Sequence, residues 1–316
     1  MFILKLQNGV YRVNLYDDGL LFKNLIDEVS KKRDIADFYV EKDFWVVTVL
    51  KEILKKNPNY VFKGGTSLSK CWKIINRFSE DIDLSDISFD APIGEKRISA
   101  HIIQDAITSL GLINTNDKGI RSRRLLNRYI IPYNSVIDSN SKVEKTIIVE
   151  LARITPSFPI EKSSVQSFIG EYLESVGRLD LVEKYELERF EVTTLALERT
   201  FVDKVFALCD YSISLRLDRQ SRHIYDLSRI LPKIKLDDNL CALFEEVRKF
   251  RTTSEKCYSA KDGIKLYKTM SDFISNETYK TDYNTKTYPL LYDEITYEEA
   301  INSLLIIQKF LKDKNI

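Results

Sequence analysis

Histidine occurs only twice in the 316 residues, at His101 and His223, and cysteine four times, at Cys71, Cys209, Cys241 and Cys257. The cysteines are far apart and form no Cys-x-x-Cys pair, and neither histidine has a second one near it in sequence. This argues against a zinc site or a disulfide scaffold, and buried free thiols are expected. Glycine (10) and proline (7) are also scarce, which argues against long linkers and for a chain dominated by helix. No charge sign prevails: 48 Lys and Arg face 47 Asp and Glu. The net balance announces no nucleic-acid partner, although it leaves room for a local basic patch. No apolar run approaches the roughly 20 residues that span a bilayer, and the opening MFILKLQNGVYRVNL lacks the basic start and unbroken apolar stretch of a signal peptide. These absences predict a cytoplasmic protein with no membrane partner.

Hydrophobic residues make up 44% and charged residues 30%, the profile of a globular chain with one large or two ordinary domains. Apolar residues at helical spacing predict helices over 18–33 and 38–56, the second stopped by Asn57-Pro58-Asn59. Tyr60-Val61-Phe62 reads as a short buried strand, 68–76 as helix, 77–85 as extended and 95–110 as helix. Residues 128–133 and 143–152 are β-rich around a turn-like segment and predict an antiparallel hairpin. From about 160 onward nearly everything reads as helix: 164–174, 194–214, 219–231, 238–250, 260–275 and 297–313. The expected fold class is α+β. A small mixed or antiparallel sheet flanked by helices occupies residues 1–155, and a mostly helical half occupies 156–316.

The chemistry concentrates in residues 61–85, VFKGGTSLSKCWKIINRFSEDIDLS. Gly64 and Gly65 follow a buried strand, where two residues without Cβ let the backbone turn sharply and approach a ligand. Thr66 and Ser67 then open a helix whose free N–H groups and positive dipole end favour phosphate. Alternation along a strand puts Asp81 and Asp83 on one face, with Arg77 and Ser79, and turns Ile82 and Leu84 toward a core. Two neighbouring carboxylates repel unless a cation lies between them. Mg²⁺ suits such a pair, because it completes its octahedron with substrate phosphates. A lone Asp-x-Asp is more often the polar face of an edge strand; the glycine turn upstream is what favours a site.

These residues resemble the signature of DNA polymerase β-type nucleotidyltransferases, Gly-Gly/Ser followed by Asp-x-Asp. More closely, KGGTSLSKCWKIINRFSEDIDL is similar to the AbiEii/AbiGii abortive-infection toxin family. VEKDFWV (Val40 to Val46), ERTFVDKVFAL (Glu198 to Leu208) and SRHIYDLSRIL (Ser221 to Leu231) resemble that family's other motifs. The resemblance implies an Mg²⁺- or Mn²⁺-dependent catalytic domain in residues 1–155, with the helical part supplying Lys204 and Asp226 to the active site. It implies Asp81 and Asp83 as catalytic metal ligands, and Gly64, Gly65, Thr66 and Ser67 as a phosphate cradle. Lys204 would contact phosphate, and Asp226 would be a late acidic participant. Glu150 occupies the place of a third metal carboxylate; in IIVELA it faces away from Ile147, Val149 and Leu151. NTP is the implied substrate and RNA, particularly the 3′ end of tRNA, the implied acceptor. A separately encoded antitoxin is the implied partner.

From the residues themselves, Lys204 sits among Phe201, Val202, Val205 and Phe206 and reads as partly desolvated, a snorkelling surface lysine being the bland alternative. Asp226 shares a helical face with Arg222 and Arg229. His223 reads as structural or substrate-contacting. Arg121, Arg123, Arg124 and Arg128 form a basic run, either a solvated face or the lining of an acceptor or triphosphate channel. Two other readings remain open at this point: nucleotidylation of a protein hydroxyl, and a nucleotide- or RNA-binding protein that has lost catalysis. A Walker-type NTPase is excluded by the absence of Gly-x-x-x-x-Gly-Lys-Ser/Thr.

Overall fold

A computed structural model describes residues 5–7, 10–86, 93–121, 124–137, 144–153 and 156–316. The chain forms two compact units that alternate along the sequence. The first comprises Met1–Phe62, Glu80–Ala152 and Lys162–Thr193; the second comprises Lys63–Ser79, Arg153–Glu161 and Thr194–Ile316.

The first unit begins with an antiparallel ladder of β1 (Lys5–Gln7) and β2 (Val10–Arg12). Helix α1 (Gly19–Arg33) is capped by Asp18, whose carboxylate accepts from Leu21 N at 3.2 Å, and carries Lys31, Lys32 and Arg33 against its C-terminal dipole. Helix α2 (Asp37–Lys56) packs against α1 and is buried almost around its whole circumference from Val40 to Val47. Trp45 stacks on Tyr133 at 5.4 Å, and Phe44 meets Phe22 at 4.6 Å. The polar residues inside this helix are all spent: Glu41 accepts from Val136 N and Ser135 Oγ, both at 2.7 Å, and Asp43 accepts from Phe168 N at 2.7 Å. Lys42 donates to the Glu144 carbonyl at 2.8 Å and pairs with Glu80.

Strand β3 (Tyr60–Lys63) is followed by helix α3 (Gly64–Lys70), then by β4 (Asp81–Asp86), helix α4 (Ile93–Ser109), β5 (Leu126–Pro132) and β6 (Thr146–Ala152). Then come β7 (Ile160–Val165), α5 (Phe168–Ser175), α6 (Leu179–Lys184) and β8 (Phe190–Leu195). The six-stranded sheet runs β5-β6-β4-β3-β8-β7. Strands β4 and β6 are parallel, whereas β5 and β6 form the expected antiparallel hairpin. The class is α+β with a mixed sheet, as expected.

Two strands, however, lie beyond residue 160 where no strand was expected, each running into the start of an expected helix, 164–174 and 194–214. Strand β8, FEVTTL, is buried at four consecutive positions from Val192, so its side chains show no period-two alternation. Strand β7, IEKSSV, is a largely exposed strand at the sheet's edge with polar residues on it. Neither carries the hydrophobic pattern that betrays a half-buried strand.

The second unit is built from α7 (Leu197–Ile213), α8 (Arg222–Ile230), α9 (Asp238–Arg251), α10 (Leu266–Ser275), the short α11 (Lys280–Asp282) and α12 (Tyr297–Asp313). Its core gathers Phe201, Phe206, Phe244, Met270, Phe273, Leu304 and Ile307. Helix α12 starts with a capping box between Thr296 and Glu299. A buried polar clamp crosses this core: Asp210 accepts from Arg251 Nη2, Ser259 N and Ser259 Oγ, each at 2.7 Å. Among the described residues no helix is long and apolar enough to cross a membrane.

Candidate active site

In the first unit the strand register sets three carboxylate-bearing residues on one sheet face. Ile82 and Leu84 of β4 are fully buried, so Asp81 and Asp83 emerge half-buried on the opposite face. On β6, Val149 and Leu151 are buried and Glu150 alternates with them. Because β4 and β6 are parallel with Asp83 opposite Glu150, these two side chains share a face, and Asp81 joins them two residues earlier. Arg128, opposite Glu150 on β5, places its Nε 3.6 Å from the Glu150 carboxylate. The residue before this face, Glu80, is held by the almost fully buried Lys42, which ties the start of β4 to α2.

These donors are hard carboxylate oxygens, the set that suits Mg²⁺ or Mn²⁺. Among the described residues no group of three or more His, Cys, Asp or Glu side chains is gathered closely enough to hold a metal ion by itself. The two carboxylates of Asp81 and Asp83 alone leave most of an octahedral shell to be filled by other ligands. Glu150 stands beside this pair with Arg128 on its carboxylate.

In the second unit the glycine pair has two separate causes. Gly64 sits at φ 78°, in the left-handed region that a Cβ disfavours. Gly65 is hemmed in: a Cβ there would lie 2.5 Å from Arg77 Nη2 and 2.7 Å from Ser79 Oγ. Helix α3 starts at Gly64 itself, so Thr66 and Ser67 lie within its first turn. Both are buried. Ser67 Oγ donates to the Gly64 carbonyl at 2.9 Å, and Thr66 Oγ1 is 3.0 Å from Ser79 Oγ.

Arg77 departs from the sequence expectation, because β4 begins only at Asp81 and the strand alternation does not reach it. It is 3% exposed and grips Asp226 with two parallel bonds, Nε to Oδ1 at 2.7 Å and Nη2 to Oδ2 at 2.9 Å. Lys204 Nζ donates to Asp226 Oδ2 at 2.6 Å and lies 3.4 Å from His223 Nδ1. Asp226, with no exposed surface, thus takes its partners from two distant segments rather than from its helix neighbours Arg222 and Arg229. Arg229 instead donates to the Ile74 carbonyl at 3.1 Å.

Burial alone would raise the Asp226 carboxyl, but the charges and hydrogen bonds of Arg77 and Lys204 outweigh it and hold it far below the usual carboxylate range. Burial lowers the Lys204 ammonium, an effect Asp226 opposes and Arg77 reinforces. His223 is driven well below 6.5 by burial and then by the charge of Lys204, so its ring is neutral at pH 7. It stacks in parallel on Tyr211 with ring centroids 6.0 Å apart.

The Arg77 grip was not read from the sequence, and neither was what pins it. Asn76 N donates to Tyr225 Oη at 2.9 Å, Tyr292 N to the Asn76 carbonyl at 2.7 Å, and Phe78 N to the Leu290 carbonyl at 2.9 Å. The one available signal was Asp226 itself, since a carboxylate flanked by core residues demands a cation. Of the basic run, Arg121, Arg124 and Arg128 are exposed, and Arg123 lies outside the described residues.

The model of the family described as nucleotidyl transferase AbiEii toxin, type IV TA system, matches residues 49–303. The chain belongs to the AbiEii family. AbiEii membership makes it a nucleotidyltransferase toxin of a type IV toxin–antitoxin system, with NTP as substrate and an antitoxin as partner. Among solved structures it is similar to MenT4, a nucleotidyltransferase toxin from Mycobacterium tuberculosis H37Rv. That likeness has 17% identity and a TM-score of 0.50, and it covers 92% of this chain and 89% of that one. It shows a shared fold. Comparison with curated protein sequences gives no match.

Proposed function

We propose that this AbiEii protein transfers a nucleoside monophosphate from an NTP to a hydroxyl of RNA, the 3′ end of tRNA being the favoured acceptor. The observation that carries the reading is the register of β4 and β6, which puts Asp81, Asp83 and Glu150 on one sheet face. The acceptor oxygen attacks the α-phosphorus, and the bond to the bridging oxygen breaks. Pyrophosphate leaves with that electron pair, and the hydroxyl proton passes to solvent or base. Asp81 and Asp83 would hold Mg²⁺ or Mn²⁺, with Glu150 available as a further carboxylate on Arg128's release. Such an ion acidifies the attacking hydroxyl and neutralises triphosphate charge. Gly64, Gly65, Thr66 and Ser67 would meet phosphate through the backbone of their turn, since both hydroxyls are engaged inside the protein. Lys204 would supply positive charge to the phosphates, and Asp226 would hold Lys204 in place. Residues 1–155 would form the catalytic domain and 156–316 the helical one, working in the cytoplasm. Exposed Arg121, Arg124 and Arg128 favour a polyanionic acceptor over a protein hydroxyl.

The test is to incubate the purified protein with each labelled NTP and either total tRNA or a protein lysate, in Mg²⁺ and in EDTA. Label on tRNA that vanishes with EDTA supports the reading; label on protein alone refutes the acceptor assignment. A variant with Arg121, Arg123, Arg124 and Arg128 changed to Gln should flatten the salt dependence of RNA binding by about one unit of slope per lost phosphate contact. An unchanged slope would remove these arginines from the acceptor site.

A further inference from the structure

We infer that Arg77 is a charge-balancing positioning residue: by neutralising Asp226 it leaves the ammonium of Lys204 with a positive charge free to act on phosphate. The inference rests on the reading that Lys204 meets phosphate.

Three charged side chains form one cluster, and their exposures are unequal. The side chains of Arg77 and Asp226 are 2% and 0% exposed, whereas Lys204 keeps 8%. Arg77 is buried, and each of its three nitrogens already donates inside the protein. Its Nε and Nη2 are spent on Asp226, and Nη1 donates to the Phe78 carbonyl at 2.9 Å. Arg77 and Lys204 together carry two positive charges against the single negative charge of Asp226. The cluster therefore holds one net positive charge, and Lys204 is the most exposed of its three members. Were Arg77 absent, Asp226 and Lys204 would form a closed, neutral pair with little attraction left for a polyanion.

The geometry is built for an arginine. Only a planar fork can take both carboxylate oxygens and still reach a carbonyl. Its backbone is fixed on both sides, at Asn76 by Tyr225 and Tyr292 and at Phe78 by Leu290. Gly65 provides the space that its Nη2 fills. The ammonium of Lys204 lies 2.6 Å from Asp226 Oδ2 and 3.4 Å from His223 Nδ1.

Inorganic tripolyphosphate is a base-independent probe, and its affinity should be measured per folded molecule for Arg77→Met, Asp226→Asn, the double variant and Lys204→Met. Charge balance requires affinity to follow net charge. Arg77→Met, at zero, should weaken binding at least about tenfold. Asp226→Asn, at plus two, should bind more tightly than wild type at low salt, although NTP turnover falls because Lys204 loses its anchor. The double variant, back at plus one, should recover to near the wild-type affinity. Folded Arg77→Met that binds within twofold of wild type would make the arginine merely structural and overturn the inference. If that variant does not fold, the comparison between Asp226→Asn and the double variant still decides, since removing Arg77 there must weaken binding. Unchanged affinity in Lys204→Met would instead bring down the underlying reading of Lys204, a distinct failure.

Discussion

Replacing Gly65 by alanine adds one methyl group at a point where the structure has no room for it. The new Cβ would lie 2.5 Å from Arg77 Nη2 and 2.7 Å from Ser79 Oγ. The end of an arginine side chain ordinarily swings aside at little cost, but this one is bound to Asp226 through both carboxylate oxygens inside the protein. Relief requires either a backbone shift, with an overpacking cost of about 1–3 kcal/mol, or a loosened buried ion pair, whose full rupture costs about 3–5 kcal/mol. A cost near 3 kcal/mol is therefore expected for Gly65→Ala, or a fall in Tm of roughly 6–12 °C at about 2–4 °C per kcal/mol. Gly64→Ala has a different cause, the left-handed backbone, and should cost only about 1–2 kcal/mol. Thermal unfolding should then be repeated in an Arg77→Met/Asp226→Asn background, where the pinned guanidinium is gone. There Gly65→Ala should cost at least about 1 kcal/mol less, only the approach to Ser79 Oγ remaining, a coupling above the additivity error of about 0.5 kcal/mol. Equal cost in both backgrounds would refute the account of why this position is glycine.

Asp81→Asn and Asp83→Asn should each abolish nucleotide transfer while leaving Tm within about 2 °C of wild type, since both side chains are half-buried beside the fully buried Ile82 and Leu84. Nucleotide transfer by both variants at the wild-type rate would remove the pair from catalysis. His223 is neutral in the fold and titrates well below 6.5 there. In the unfolded chain it binds its proton near 6.5, so stability should decline as pH falls below about 6.5. His223→Phe should remove that decline between about pH 6.5 and 5 in urea titrations, and an identical pH profile in the variant would contradict it. Asp210→Ala leaves Arg251 and Ser259 without their shared acceptor, and should cost about 3 kcal/mol in denaturant unfolding with NTP affinity unchanged in the folded protein.

The carboxylate face was legible because a strand's two-residue period makes Asp81 and Asp83 partners wherever the strand lies. Glu150 was legible for the same reason, one strand over, although only the register of β4 against β6 sets it opposite Asp83. The glycine pair was legible as a tight turn, but its second member is glycine because of a side chain twelve residues later. Asp226 could be suspected from its helix alone, and its partners could not. Local spacing offered Arg222 and Arg229, whereas the fold supplies Arg77 and Lys204 from segments that no periodicity connects. Strands β7 and β8 went unread because one is polar at an edge and the other buried on both faces.

The clamp on Asn76, Arg77 and Phe78 has a consequence for the order in which the protein is made. Its backbone partners, Leu290 and Tyr292, are translated only after most of the chain has left the ribosome. At roughly 5–20 residues per second, the growing polypeptide carries Asp81, Asp83 and Glu150 for many seconds before the segment holding Arg77 can be tied down. Those two ties therefore form last. A nascent or prematurely terminated chain ending just before Leu290 carries its acidic face and Asp226 but lacks the two backbone ties that Leu290 and Tyr292 give Phe78 and Asn76.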